Sequence, residues 1–131
     1  MWTSAELKAQ EKTLAAKLDA QKLAFEKLAD YGNHYVQIAH READGEAELH
    51  DNMVDIFFVQ SGEATLLVGG KMSGATRVTG PGETRGPSNA DGTKKPLRAG
   101  DVVHIPALTP HQLLVAKGKQ FTYFVVKVPA K

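Results

Sequence analysis

Four side chains in this sequence have the types and spacing that bind a metal ion: Glu48, His50, Asp55 and His111. On a strand, residues i and i+2 share a face and lie about 6.5–7 Å apart, so Glu48 and His50 can converge on one ion. Asp55 alternates with Phe57 and Val59, and His111 with Leu113 and Val115, which aims both toward an apolar interior. A carboxylate carried there alone would cost several kcal/mol or take up a proton. A divalent ion removes that penalty. Two imidazoles with one or two carboxylates and open positions suit Fe(II), Mn(II) or Zn(II), with Ni(II) admissible and copper disfavoured by the oxygen ligands. Such an ion polarises a bound water or substrate oxygen.

Each of these residues also has a plainer reading. Ala47 and Leu49 form the more apolar face of their strand, which would turn Glu48 and His50 to solvent. Asp55 is short enough to do no more than cap a turn, and His111 fits a core histidine bonded to a carbonyl. Arg85, with Glu83 and Ser88, offers a clamp for a substrate carboxylate, against the alternative of a solvated loop. Gln60 is a second candidate for the ligand cavity, its direction left open. His104 alternates with Val103 and Ile105 and points away from His111, while His34 and His40 read as hydrogen-bonded wall residues on a Val36/Ile38 face. Tyr123 and Phe124 are core or rim aromatics.

Other chemistries drop out. The chain has no cysteine, which removes disulfides, thiolate metal sites and a Cys nucleophile. A formal charge of +1 lacks the concentrated basic face that phosphate contacts need, so no nucleic-acid partner is expected. Gly70-Lys71-Met72 lacks the pattern of a phosphate loop, and Ser61-Gly62 lacks that of a nucleophile elbow. No apolar run approaches the roughly 20 residues of a membrane span. Met1-Trp2-Thr3 leads straight into a polar helix, so a soluble, cytoplasmic protein is the default; an exported mature form would read the same.

The elements that must position these groups follow from pattern. Thr3-Ser4-Ala5-Glu6 is a capping box, and Leu7, Leu14 and Leu18 recur at helical spacing, predicting a helix over residues 4–20. Residues 21–31 fit either a continuation of that helix or a strand over Leu23–Leu28. From His34 the pattern becomes strands: 34–40, 46–51, 55–60, 63–68, 102–105, 112–115 and 121–128. Between them, residues 69–96 are rich in Gly and Pro and read as a long excursion, of the kind that is functional or mobile. With 42% apolar residues among 131, one domain with a genuine core is expected, a helix at 1–20 preceding a β-barrel over 34–128.

Two segments resemble the paired motifs of the cupin superfamily. The first motif is His-x-His, three or four residues, Glu, six residues, Gly. Here His50, Asp55 and Gly62 keep that spacing, with Glu48 at the first His position and Asp55 at that of Glu. The second is Gly, five residues, Pro-x-Gly, two residues, His, three residues, Asn. Gly100, Pro106 and His111 match it, while Leu108 replaces the second Gly and Val115 the Asn. The resemblance covers about residues 45–115. It implies a mainly-β, double-stranded β-helix barrel, often a homodimer, with a metal near one mouth held by Glu48, His50, Asp55 and His111. It also implies a small-molecule ligand, and leaves open whether the protein is a metal-dependent enzyme acting on an oxygen-bearing molecule or a non-catalytic module for a sugar-like or acidic one. A third reading makes the chain an interaction protein whose N-terminal helix packs on a second subunit.

Overall fold

The computed structural model describes residues 1–130. The helix α1 spans Ser4–Ala15, its first turn capped by the Thr3 hydroxyl, which accepts from the Glu6 N–H at 3.1 Å. It stops earlier than its leucine spacing predicts, because Asp19 takes over the chain. The Asp19 carboxylate accepts from the Gln21 and Leu23 N–H groups, and Lys22 turns through φ 58°. That turn settles the ambiguous stretch as a strand, β1 (Leu23–Asp30).

The remaining strands are β2 (Tyr35–Arg41), β3 (Ala47–His50), β4 (Met53–Val68), β5 (Lys71–Ser73), β6 (Arg77–Gly80), β7 (Glu83–Gly86), β8 (Ser88–Ala90), β9 (Thr93–Arg98), β10 (Val102–Ile105), β11 (His111–Leu114) and β12 (Phe121–Pro129). Residues 69–96, expected as a long loop, instead carry four short strands and the start of a fifth. Their Gly and Pro residues mark the turns between these strands. Asn89 and Gln112 stitch this region to the barrel: Gln112 Oε1 accepts from the Asn89 N–H at 3.0 Å, and its Nε2 donates to the Gly45 and Pro87 carbonyls.

All pairings are antiparallel. The strand β4 closes the barrel by serving both walls. Its first half pairs with β12 and β10, its second half with β9 and β11. The corner is Gly62, at φ 79°, where an added Cβ would stand 1.9 Å from the Gln120 carbonyl oxygen. Gly62 therefore does not end a strand, as the sequence suggests, but bends one from wall to wall.

The side chains of Phe57, Val59, Leu66, Ile105, Leu113, Phe121, Tyr123 and Val125 fill the interior. The opposite face of β2 is covered by α1, where Leu14 is fully buried against Ala24 and Ile38, with Leu7, Leu18 and Leu28 around them. Burying a side chain of this size stabilises by about 1.5–3 kcal/mol, so the helix is anchored on its own barrel through its leucine stripe.

Candidate metal centre

Cross-strand register assembles the site. On β3, His50 lies opposite Glu83 of β7 and Glu48 opposite Arg85. Across its other edge Glu48 faces His111 of β11, and Asp55 of β4 faces Lys127 of β12. Directly opposed residues in antiparallel strands bring their Cβ atoms to about 4.5–5.5 Å, so this register alone sets four pairs of ionisable groups side by side.

Glu48, His50 and His111 place one ligand atom each within 4.8 Å of one another. Asp55 Oδ2 lies 3.4 Å from His50 Nε2 and 3.8 Å from His111 Nε2, and Glu48 Oε2 lies 4.0 Å from His111 Nε2. Donor atoms held about 2.0–2.2 Å from one first-row ion sit roughly 3–4 Å apart. The three carboxylate–imidazole distances fall in that range, while the 4.8 Å limit for Glu48, His50 and His111 together lies just beyond it.

The Nδ1 partners of the two rings point the same way. His111 Nδ1 lies 3.0 Å from the Thr109 carbonyl, which can only accept, so Nδ1 carries the hydrogen. Burial pushes the His111 pKa below its usual value, keeping the ring neutral with a bare lone pair on Nε2. His50 Nδ1 is 2.7 Å from the Glu83 carboxylate, fixing the same tautomer. Both Nε2 atoms are buried with no hydrogen-bond partner. An imidazole pinned through Nδ1 with Nε2 free is the arrangement that metal-binding histidines adopt, and the residues present fit a divalent ion.

The carboxylates are ionised. For Asp55, burial opposes ionisation, but the neighbouring His50 and Lys127 outweigh it and hold the pKa at about 2. Lys127 Nζ stands 2.9 Å from Asp55 Oδ1, close enough for an ion pair although off hydrogen-bond geometry. Burial likewise opposes ionisation of Glu48, and Arg85 foremost, then His111 and Arg41, draw its pKa down. Arg85 Nη1 sits 2.6 Å from Glu48 Oε1, and Arg41 Nη2 lies 3.9 Å from Oε2. Desolvation works against the charge of His50, yet Asp55 raises its pKa overall.

Arg85 pairs with Glu48 at the cavity wall and stands on a strand rather than in a loop. Gln60 does not. Its Nε2 donates to the Leu7 carbonyl at 3.1 Å and to Glu11 at 2.9 Å, holding α1 to the outer wall. The reason is alternation: Asp55, Phe57 and Val59 face inward, so position 60 must face outward. His104 is exposed, and His40 is a buried wall residue between Thr122 and Glu42. Three residues beside the cluster carry no such role in the sequence pattern: Glu83 as the orienting partner of His50, Arg41, and Lys127. A lysine continuing the inward face of Tyr123 and Val125 was the available signal for the last.

A cavity of about 220 Å³ opens beside the cluster, lined by Glu48, Asp55, Glu83, Arg41, Arg85 and Lys127 on its polar side and by Phe25, Phe57 and Val125 among its apolar residues. Among the described residues no helix is long and apolar enough to cross a membrane.

No protein-family model and no curated protein matches this chain. Solved structures do. A Klebsiella pneumoniae uncharacterised conserved protein with a double-stranded β-helix domain aligns over 100% of this chain and 90% of its own, at TM-score 0.66 and 15% identity. The TT1209 protein of Thermus thermophilus aligns over 90% and 92%, at TM-score 0.64 and 16% identity. A predicted oxalate decarboxylase of Thermotoga maritima aligns over 82% and 80%, at TM-score 0.60 and 11% identity. With the curled sheet and N-terminal helix seen here, these likenesses show that the chain has the double-stranded β-helix fold.

Proposed function

We propose that this protein binds a divalent metal ion (Fe, Mn or Zn, with Ni admissible) through Glu48, His50, Asp55 and His111, and uses it on a small oxygen-bearing organic molecule held in the adjoining cavity. The observation that carries the reading is the pair of buried imidazoles, each pinned through Nδ1 and each with an Nε2 that has no hydrogen-bond partner, beside two ionised carboxylates. When bound, the ion supplies Lewis acidity toward a ligand oxygen. Glu83 holds the His50 ring in place, the Thr109 carbonyl holds that of His111, and Arg85 and Lys127 keep the two carboxylates charged. The apolar side of the cavity limits water around the bound molecule.

The test is metal content of protein purified without chelator, beside Glu48→Ala and His111→Ala. About one ion per chain in the wild type and a sharp loss in both variants is expected for a site of this ligand number. Content near zero that does not rise on adding Mn, Fe, Zn or Ni would defeat the proposal.

A second reading, a non-catalytic binding module, draws on one observation: Arg85 and Lys127 already give Glu48 and Asp55 ion-pair partners. It predicts a thermal shift with ligand, no turnover, and binding retained in His111→Ala.

A further inference from the structure

Adding an ion to this site leaves its charges out of balance, and the excess indicates what the cavity takes; the step rests on the metal-binding reading above. Three carboxylates line the cavity, Glu48, Asp55 and Glu83, and three cationic side chains face them, Arg41, Arg85 and Lys127. Three against three is neutral with both imidazoles uncharged. A divalent ion brings the total to two positive charges inside a confined cavity, where uncompensated charge is costly. The carboxylates that pair with Arg85 and Lys127 are also the ones that would share their charge with the ion, so both cations are left partly uncompensated.

The cations are placed to receive an anion. They come from three separate strands, β2, β7 and β12, and converge on one space. Arg41 is buried, and of its five N–H donors the Nε group bonds the Tyr123 hydroxyl at 3.1 Å. Arg85 is about one-third exposed at the cavity wall, able to exchange Glu48 for an incoming carboxylate. The planar guanidinium fork matches carboxylate geometry. A neutral polyol would leave those buried donors and the excess charge unmatched. At about 220 Å³ the cavity lies below the roughly 300–1,000 Å³ of pockets that take drug-sized ligands, which suits a small acid.

We infer that the ligand of this cavity is a small carboxylic acid, its carboxylate gripped by Arg85 and Arg41 and a second oxygen within reach of the Glu48/His50/His111 cluster. Full-length protein loaded with Mn(II), its metal content read first on the same sample, is titrated calorimetrically with malonate, succinate and 2-oxoglutarate. Malonamide and succinamide, matched in shape but neutral, are titrated in parallel, with xylitol as the polyol. The expected result is at least one acid binding more than about tenfold tighter than the neutral compounds. Arg85→Gln should weaken that acid by about tenfold or more, and Arg85→Lys by less. Circular dichroism establishes that each variant is folded. Equal binding of acids and neutral compounds, no binding of any acid to a Mn-loaded sample, or an acid affinity unchanged in Arg85→Gln overturns the inference and leaves the metal reading standing. A folded sample that takes up no ion defeats the metal reading and removes the charge excess with it.

Discussion

Replacing Lys127 with methionine tests the electrostatic frame of the site directly. The lysine is almost fully buried, as is Asp55, and their charged atoms lie 2.9 Å apart. Removing one partner of a buried pair strands the other charge, at a cost of about 3–5 kcal/mol. Asp55 keeps His50 3.4 Å from its second oxygen, which places the expected loss at the lower end, about 3 kcal/mol. For a chain of this length one kcal/mol corresponds to about 3–5 °C, so Lys127→Met should lower the melting temperature by about 10 °C in EDTA. The same comparison with saturating Mn(II) or Zn(II) should show a smaller loss, because the ion gives Asp55 a new counter-charge. Differential scanning calorimetry on both proteins, with and without metal, reads all four values. A drop below about 2 °C in EDTA would mean that Asp55 does not depend on Lys127 for its charge. A drop of the same size with and without ion would mean that the ion does not reach Asp55. Either result refutes the reasoning.

Acid titration of the metal-free protein gives a second check. The folded pKa of Asp55 is lowered from 3.8 to about 2, so its stabilisation is complete above its unfolded value and is lost as pH falls toward the folded one. About 2 kcal/mol should disappear between roughly pH 4 and pH 2, with Glu48 shifted in the same direction. Chemical denaturation at stepped pH measures it, and a flat profile over that range would count against the assignment. Near pH 6.5 the imidazoles oppose each other: the raised His50 adds stability below its unfolded value, and the lowered His111 removes it there. Glu83→Gln, which weakens the orienting bond to His50 Nδ1, should reduce metal affinity by about 10–100-fold in a chelator competition assay. Gly62→Ala places a Cβ into the Gln120 carbonyl at a positive φ and should destabilise by well over the roughly 1–2 kcal/mol of the left-handed conformation alone, seen as a lower urea midpoint. Leu108 adopts φ 62° where the matching motif has glycine, so Leu108→Gly should stabilise by about 0.5–1 kcal/mol in the same urea assay.

Leu108 also shows how the sequence and the fold divide the work. The chain keeps the turn that Gly would favour because the Leu108 N–H donates to the His50 carbonyl at 2.8 Å, a long-range bond that no local pattern announces. Alternation was legible: Asp55 with Phe57 and Val59, and His111 with Leu113 and Val115, do face the interior. Applied consistently, it would have turned Gln60 outward, where the structure has it. The helix start was legible too, because a capping hydroxyl acts over three residues. Its end was not, because Asp19 captures the backbone in a turn that competes with an otherwise helical spacing.

By itself the sequence determined the residue types that bear chemistry, their faces on each strand, and the motif spacing that relates residues 48–62 to 100–111. Only the tertiary structure decided which of those faces meet. Glu83 opposite His50, Arg85 opposite Glu48 and Lys127 opposite Asp55 are matters of register between strands separated by 33, 37 and 72 positions in sequence. Register is set by the closure of the whole sheet and by the bend at Gly62, since slipping a strand by one residue would turn every one of these side chains to the other face.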